Sequence, residues 1–355
     1  MTTSAVGLHS LPQASRACRL AGMRIHYLDR EGFWASKGST LYRGTASGHS
    51  LRRICDLAPS FAARLRGRWR LTRRLFRSGI HHILPVGGSR LIVVIDRQIA
   101  ALALSDGPCT AVYTPLVGSR PLNLCFDSVS ETSYYGEYRS NQERTPVRVL
   151  ASTDGGESWH TAFTLSGVRH IHGVFADPHS QGVWVTTGDE NNESAIWLTT
   201  DRFTTLTKVM EGTQQCRAVG LLFTADHVYF GSDSEREPNH LWRLDRRTVA
   251  VERLCDVDGS VFWAGYAWDG LCFSTAVEPS LVNRSKRAAV WWSSNGDRWT
   301  RLTAFPKDTW PMRLFQYGQV TLPTGPGHPQ YLWLTPFATV GDQSAIMLDR
   351  AALHA

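Results

Sequence analysis

The chain lacks the features that mark membrane-spanning, exported and zinc-finger proteins. Its 355 residues contain no apolar run near the ~18 residues that a membrane-spanning helix needs. The stretch from Met1 to Met23 has no continuous apolar segment, so we expect no secretory signal there. The seven cysteines are scattered, odd in number and without zinc-type spacing. We therefore expect reduced, buried thiols, no metal and no cofactor, in a cytoplasmic protein.

Motifs for nucleotide binding and for serine hydrolase chemistry are also missing. The sequence contains no phosphate-binding glycine loop, G-x-S-x-G turn or dinucleotide-binding fingerprint. The formal net charge is +7, which favours an anionic partner. Nucleic acid has only this charge in its favour, because the arginine-rich segment lacks interleaved aromatic residues for base stacking. We therefore expect an acidic glycan or an anionic membrane surface as partner, and no nucleic acid.

A recurring turn is the most informative feature that is present. Residues 152–159 read Ser-Thr-Asp-Gly-Gly-Glu-Ser-Trp, a shortened copy occupies 293–299, and a decayed copy occupies 199–203. Hydroxyl and carboxylate side chains in such a turn accept hydrogen bonds from its own backbone N–H groups. The glycines permit positive φ, and the Trp packs as an apolar plug between neighbouring sheets.

The S-x-D-x-G-x-x-W pattern of this turn resembles the Asp-box of sialidase-like (BNR-repeat) β-propellers. The resemblance covers most of residues 83–355. It implies an all-β propeller in which Ser152, Asp154 and Trp159 have a structural role. It also implies a central site where several arginines bind the carboxylate of a sugar acid.

Two further series of residues repeat at intervals typical of propeller blades. Carboxylates follow the second predicted strand of successive units, at intervals of 52, 44 and 45 residues: Glu137, Asp189, Asp233 and Glu278. Arginines precede the first strands, at intervals of 49 and 48 residues and then two units later: Arg120, Arg169, Arg217 and Arg313.

These repeats predict a β-propeller of seven four-stranded blades in a single domain, 1–355. The units lie near 33–57, 83–116, 120–166, 169–213, 217–258, 260–306 and 313–355. Six blades stay open as an alternative, because the first unit is poorly formed. The apolar segment 23–28 is expected to supply the fourth strand of the last blade, which would close the ring and remove open sheet edges.

Residues 59–78 interrupt the repeat and predict a basic helical insert between the first two blades. Several large side chains fall on one helical stripe: Phe61, Leu65, Trp69, Thr72 and Phe76. Seven arginines crowd the same segment. Three interpretations stay open: a helix packed on the propeller with a solvated basic face, an interfacial helix on anionic lipid at the inner face of the membrane, and a lid over an acidic glycan.

The starts of first strands and the ends of second strands open on one face of a propeller, near its axis, so the two series should form one site. The catalytic candidates are Glu137, Asp189, Asp233, Tyr135 and His170. The substrate-binding candidates are Arg120, Arg169, His172, Arg217, Glu278 and Arg313. Glu137 is the first candidate for acid–base catalysis, because an aromatic setting between two tyrosines suits a proton donor.

The pair His170 and His172 lies on one face of a predicted strand, because side chains alternate along a strand. Three roles stay open for these imidazoles. They could bind a metal together with Asp177 or Asp189, although this spacing alone is unspecific. They could include a general base that acts on a uronate, or they could be hydrogen-bonded residues of the propeller wall.

The leading hypothesis for function is a glycoside hydrolase that cleaves an anionic glycan at the central mouth. One alternative is a polysaccharide lyase that uses His170 or His172 with Tyr135. Another is a non-catalytic propeller that binds a glycan or a protein during polysaccharide assembly.

Overall fold

The computed structural model describes residues 18–58, 60–104, 109–342 and 344–353, and most of this part of the chain forms seven four-stranded antiparallel sheets. Consecutive sheets pack against one another through apolar clusters, which makes the molecule a seven-bladed β-propeller. The predicted fold class is confirmed. The six-bladed alternative is wrong, because the first blade is complete.

The strands follow one another in chain order. β1 (Arg19–Ala21) precedes blade 1, which contains β2 (Arg24–Leu28), β3 (Phe33–Lys37), β4 (Thr40–Gly44) and β5 (Leu51–Asp56). Blade 2 contains β6 (Ile80–Val86), β7 (Arg90–Ile95), β8 (Gln98–Ala103) and β9 (Ala111–Pro115). Blade 3 contains β10 (Cys125–Asp127), β11 (Thr132–Gly136), β12 (Val147–Ser152) and β13 (His160–Leu165). Blade 4 contains β14 (His170–Ala176), β15 (Val183–Gly188), β16 (Ala195–Thr199) and β17 (Thr207–Glu211).

The remaining blades have the same order. Blade 5 contains β18 (Ala218–Phe223), β19 (His227–Ser232), β20 (Asn239–Asp245) and β21 (Val251–Val257). Blade 6 contains β22 (Val261–Ala267), β23 (Gly270–Thr275), β24 (Arg287–Ser293) and β25 (Thr300–Pro306). Blade 7 contains β26 (Gln319–Thr321), β27 (Tyr331–Phe337) and β28 (Ser344–Asp349), with β1 as its fourth strand. The helices are α1 (Phe61–Arg68), α2 (Arg70–Phe76) and α3 (Met312–Phe315), with 3-10 turns at Gln214–Cys216 and Arg350–Leu353. No helix in the described ranges is long and apolar enough to cross a membrane.

The ring is closed by β1, which pairs antiparallel with β28. The prediction that 23–28 would close blade 7 is wrong, because this segment contains β2, the first strand of blade 1. A tight turn joins β2 to β3: the Asp29 carboxylate accepts hydrogen bonds from the two backbone N–H groups that precede β3, at 2.9 and 2.8 Å. β2 still lies beside blade 7, since an isolated parallel bridge joins Tyr27 to Thr324.

The repeated turns join the third and fourth strands of blades 3, 4 and 6. In blade 3, Ser152 Oγ accepts a hydrogen bond from the Gly156 N–H at 2.8 Å, and Asp154 accepts one from the backbone further along the turn at 3.0 Å. Trp159 donates its indole N–H to the Gly156 carbonyl at 3.1 Å, and its ring meets that of Tyr135 edge-on. The turns at 199–205 and 293–299 repeat these hydrogen bonds in part. The contacts give the turns a structural role.

The insert between blades 1 and 2 consists of α1 and α2 rather than a single helix. In α2 the packing is the reverse of a helix with a buried apolar face and a solvated basic face, whereas Arg64 and Arg66 of α1 are exposed. The apolar stripe is exposed, with Phe61 at 78% and Trp69 at 55%, whereas Arg74 is buried. Arg74 forms ion pairs with Asp308, from the connection between blades 6 and 7, and with Asp342, from the turn between β27 and β28.

Candidate functional site

A cavity of about 710 Å³ opens around the propeller axis, and residues from all seven blades line it. Its wall is built largely from the starts of first strands and the segments that follow second strands. α2 lies at the rim and contributes Arg73 and Arg77. The charged and imidazole side chains from blades 1 to 3 are Arg24, His81, His82 and Arg120, whereas the carboxylates come from blades 4 to 6 and from Asp342 of blade 7. The cavity is therefore electrostatically divided.

The carboxylates of three successive blades form one row. Arg217 lies between two of them, with Nη2 at 3.3 Å from Asp233 Oδ2 and 3.5 Å from Asp189 Oδ1. Glu278 continues the row and accepts a hydrogen bond from Ser260 Oγ at 2.7 Å. The repeat that the sequence contains thus brings these three acids to one level of the cavity.

The acids of this row differ in protonation. Burial, together with the negative charge of Asp233, raises the pKa of Glu278 to about 8. Burial also raises the pKa of Asp233 to about 6, although the Arg217 charge opposes the shift. Burial disfavours the charge of Asp189 as well, but its contacts with the imidazoles of His170 and His172 outweigh burial and hold the pKa of Asp189 well below its usual range. At neutral pH a protonated Glu278 therefore stands beside ionised neighbours.

The opposite side of the cavity carries two partly buried arginines, Arg24 and Arg120. Arg24 stacks over the indole of Trp263 at 5.1 Å, and Arg120 donates a hydrogen bond to His81 Nε2 at 2.5 Å. Neither guanidinium forms an ion pair within the described residues. Burial lowers the pKa of each arginine to about 10, and the nearby charges of Arg120 and Arg77 respectively add to the shift. A buried charge without a partner is unfavourable, so this side is suited to an anionic ligand.

A cluster of two imidazoles and one carboxylate lies between the row of acids and blade 3. The Nε2 atoms of His170 and His172 are 3.1 Å apart, and each is 3.4 Å from Asp189 Oδ1. The ring of Tyr138 covers that of His170, with centroids 4.2 Å apart. Because the three atoms converge on one point, the cluster is able to hold a metal ion.

Most of the predicted site residues line the cavity. They are Arg120, His172, Asp189, Arg217, Asp233, Glu278 and Arg313. His170 and Arg169 lie behind this wall and contact Asp189, with Arg169 Nη1 at 2.8 Å from Asp189 Oδ2. Arg313 reaches the cavity from α3 rather than from the start of a strand.

Glu137 and Tyr135 do not reach the cavity, which corrects their predicted position. Glu137 is buried and turns back to β12, where Arg148 donates to its carboxylate from Nε at 2.9 Å and from the backbone N–H at 3.0 Å. Tyr135 packs against Trp159, with ring centroids 4.7 Å apart. Both side chains therefore stabilise blade 3.

Several residues of the site are absent from the predicted set, including Arg24 and Trp263, which line the cavity, and Ser260, which donates a hydrogen bond to Glu278. Arg24 begins the first strand of blade 1, near the level at which arginines precede the first strands of later blades. Because 23–28 was assigned to blade 7, the equivalence between Arg24 and these arginines was not recognised. Trp263 and Ser260 lie at the start of the first strand of blade 6, and the same level of the repeat was the signal that could have identified them.

The sequence matches no family model, and it matches no curated protein. Solved structures share the fold. A chain of a structure described as the crystal structure of the mitotic checkpoint complex superposes with a TM-score of 0.58 at 11% identity, over 98% of this chain and 99% of that chain. YCF48 from Cyanidioschyzon merolae superposes with a TM-score of 0.55 at 10% identity, over 96% of this chain and 98% of that chain. These similarities establish the propeller fold alone.

Proposed function

We propose that the central cavity binds an acidic saccharide and hydrolyses one of its glycosidic bonds, with Glu278 as the proton donor. One observation carries this proposal: a carboxyl group with a raised pKa shares a cavity with Arg24 and Arg120, which form no ion pair within the described part of the chain. A general acid is most effective when its pKa lies near the working pH. The resemblance of the repeated turns to those of sialidase-like propellers supports a glycan as the substrate class.

Binding would use the positive side of the cavity. Arg24 and Arg120 would hold the carboxylate or sulfate of the sugar, because a guanidinium group presents donors that match these anions. Arg313 lies on the same cavity wall and is exposed, so it is free to contact a longer ligand. The indole of Trp263 offers an apolar surface for a sugar ring.

The chemical step would use the row of acids. Glu278 would donate its proton to the leaving oxygen as the bond from this oxygen to the anomeric carbon breaks. Water would add to the anomeric carbon and give its proton to Asp233. Hydrolysis of glycosides generally requires such a pair of carboxyl groups, one protonated and one ionised. The pKa of Glu278, about 8, lies above that of Asp233, about 6, which is the required direction.

A polysaccharide lyase is the second candidate, because His81 lies beside Arg120. Burial lowers the pKa of His81 well below its usual range, so this imidazole is neutral. A neutral imidazole next to the group that would hold a uronate carboxylate is placed to remove the adjacent carbon-bound proton.

The test is product analysis on a panel of acidic and neutral polysaccharides, by mass spectrometry with ultraviolet absorbance recorded in parallel. We expect products that have gained one water. Glu278→Gln should form none of these products, whereas the matched control Glu143→Gln, which changes an exposed carboxylate outside the cavity, should still form them. Unsaturated products that absorb in the ultraviolet would establish the lyase. If the chain binds a glycan without cleaving it, and Arg120→Gln weakens this binding, the enzymatic proposal is overturned. The protein would then be a non-catalytic glycan-binding propeller.

A further inference from the structure

We propose that His170, His172 and Asp189 bind one transition-metal ion of the Zn²⁺ or Co²⁺ type at the wall of the central cavity. This inference does not depend on the glycan hypothesis, because it follows from the geometry of the three side chains. It revises the expectation from the sequence that the chain binds no metal.

The separations between the three donor atoms match those around a tetrahedral metal ion. His170 Nε2 and His172 Nε2 are 3.1 Å apart, and Asp189 Oδ1 is 3.4 Å from each. Ligand atoms bound at about 2.0–2.1 Å in a tetrahedral site are about 3.3–3.4 Å apart. A point about 2 Å from all three atoms therefore exists, close to the plane that they define.

The hydrogen bonds of the other ring nitrogens fix the imidazoles in the tautomer that metal ligands require. His170 Nδ1 lies 3.1 Å from the Arg139 carbonyl oxygen, and His172 Nδ1 lies 3.3 Å from the Ala218 carbonyl oxygen. Carbonyl oxygens only accept, so each Nδ1 carries the hydrogen and each neutral ring directs the lone pair of its Nε2 inward. Two such lone pairs 3.1 Å apart repel each other unless a cation lies between them.

A shared proton explains this arrangement less well than a metal ion. A proton between the two Nε2 atoms would account for their contact but would not place the carboxylate at the same distance from both. The 3.4 Å separations from Asp189 Oδ1 are also longer than the 2.7–2.9 Å typical of a charged N–H···O hydrogen bond. Equal separations to both rings are what a common central ion produces.

The surroundings hold the carboxylate in place and leave one side of the cluster open. Arg169 donates to Asp189 Oδ2 at 2.8 Å, which orients Oδ1 toward the imidazoles. His172 and Asp189 line the cavity, so a fourth coordination position would face solvent or a bound ligand. Nitrogen donors favour Zn²⁺ or Co²⁺ over Mg²⁺.

The experiment measures bound metal directly. The purified chain is stripped with a chelator, equilibrated separately with Zn²⁺, Co²⁺ or Mg²⁺, passed through gel filtration and analysed for metal content. We expect one Zn²⁺ or Co²⁺ per chain, no Mg²⁺, and a visible absorption spectrum of the cobalt form typical of four or five ligands. Asp189→Ala and His170→Ala should lose the ion, whereas His240→Ala, which removes an imidazole 3.0 Å from Asp256 outside the cavity, should keep it.

The metal site is overturned if the wild-type chain retains no Zn²⁺ or Co²⁺. It is also overturned if the Asp189→Ala and His170→Ala variants retain as much metal per chain as the His240→Ala control. Circular dichroism identifies any variant that does not fold. In that case the cobalt spectrum of the wild-type chain decides, because six oxygen ligands give a far weaker absorption than a site with two imidazoles.

A separate observation concerns the outer surface of the insert, and from it we infer that α1 and α2 dock on an anionic lipid surface. This surface exposes large apolar side chains next to one another on two short helices: Phe61, Leu65, Trp69, Leu71, Leu75 and Phe76. Clustered exposed apolar residues on a helix, with a Trp among them, are typical of interfacial membrane contact.

The charge of the insert specifies an anionic partner. Residues 57–78 contain seven arginines and no aspartate or glutamate. Arg70 and Arg74 are engaged by acidic residues near blade 7, whereas Arg66 is exposed and lies 5.9 Å from the ring of Phe76. Basic residues near an anionic bilayer strengthen binding, and salt screens this attraction. Basic and apolar groups on one surface therefore fit a bilayer that contains acidic headgroups.

Co-flotation with vesicles of phosphatidylcholine, with or without phosphatidylserine, tests this surface. We expect binding only when phosphatidylserine is present, weakened by salt and lost in a Phe61→Ser, Trp69→Ser double variant. Leu281→Ser, at an equally apolar residue that is 88% exposed on blade 6, should bind like the wild type. Failure to bind these vesicles, or a concentration-dependent dimer that the double variant abolishes, would show that lipid is not the partner of this surface.

Discussion

Replacement of Glu278 by Gln should stabilise the folded chain, and the gain should grow with pH. In the folded state burial raises the pKa of this carboxyl from 4.5 to about 8. In the unfolded state the carboxyl titrates near its ordinary value. The folded chain therefore binds more protons than the unfolded chain between these pH values, so the free energy of unfolding of the wild type falls as pH rises through this window. Gln resembles the protonated carboxyl and does not ionise.

The expected size follows from the shift. Each unit of pKa difference corresponds to about 1.4 kcal/mol, so the ionisation of Glu278 removes on the order of 4 kcal/mol of stability by pH 8. At pH 5 the loss is below about 1 kcal/mol by the same relation. The side chain is only 8% exposed, so solvent screening reduces these values little. The difference in unfolding free energy between Glu278→Gln and the wild type should therefore increase by about 3 kcal/mol from pH 5 to pH 8.

Urea unfolding followed by tryptophan fluorescence at several pH values measures this difference. Glu143→Gln is the control, because it removes an exposed carboxylate and should show no such trend. A stability difference that stays constant from pH 5 to pH 8 would refute the reasoning. Glu278 would then ionise normally in the folded chain, and its role as a proton donor at neutral pH would lose its basis.

Three further substitutions test the structure. Arg74→Met should lower the free energy of unfolding by about 1.5–3 kcal/mol, measured by urea unfolding, because it removes the buried cation from Asp308 and Asp342 and leaves Asp308 with Arg70 and Lys307 alone. An unchanged free energy of unfolding would contradict the buried ion pair. Glu137→Gln should weaken the contact with Arg148 and lower the free energy of unfolding, while product formation per folded molecule stays unchanged. A loss of activity without a loss of stability would show that Glu137 takes part in the reaction. Gly156→Ala should lower the melting temperature, because φ is 94° at this position and the new Cβ would lie 2.7 Å from a neighbouring side chain. An unchanged melting temperature would show that the turn accommodates the Cβ without strain.

The sequence was sufficient for the blade number and for the level of the site, because both depend on spacing. Intervals near one blade length placed Asp189, Asp233 and Glu278 at equivalent points of successive sheets, and the structure brings them into one row. Spacing does not determine which way a side chain turns. Glu137 belongs to the same series, but Arg148 on the adjacent strand draws its carboxylate into blade 3. The partner, rather than the interval, decides whether an acid faces the cavity.

The orientation of the insert could not be predicted from the sequence, for a related reason. Periodicity separates an apolar stripe from a basic one, and the usual expectation buries the apolar stripe, since each large apolar side chain contributes about 1.5–3 kcal/mol when buried. Here Asp308 and Asp342, more than 230 residues away along the chain, offer two acceptors to Arg74, and Trp310 offers a ring face at 4.6 Å. Without Arg74, Asp342 would keep only Arg70 and Asp308 would keep only Arg70 and Lys307, and a buried charge that is short of partners is unfavourable. The basic side of α2 is therefore held inward by residues that no local pattern connects to it, and the apolar side is left exposed.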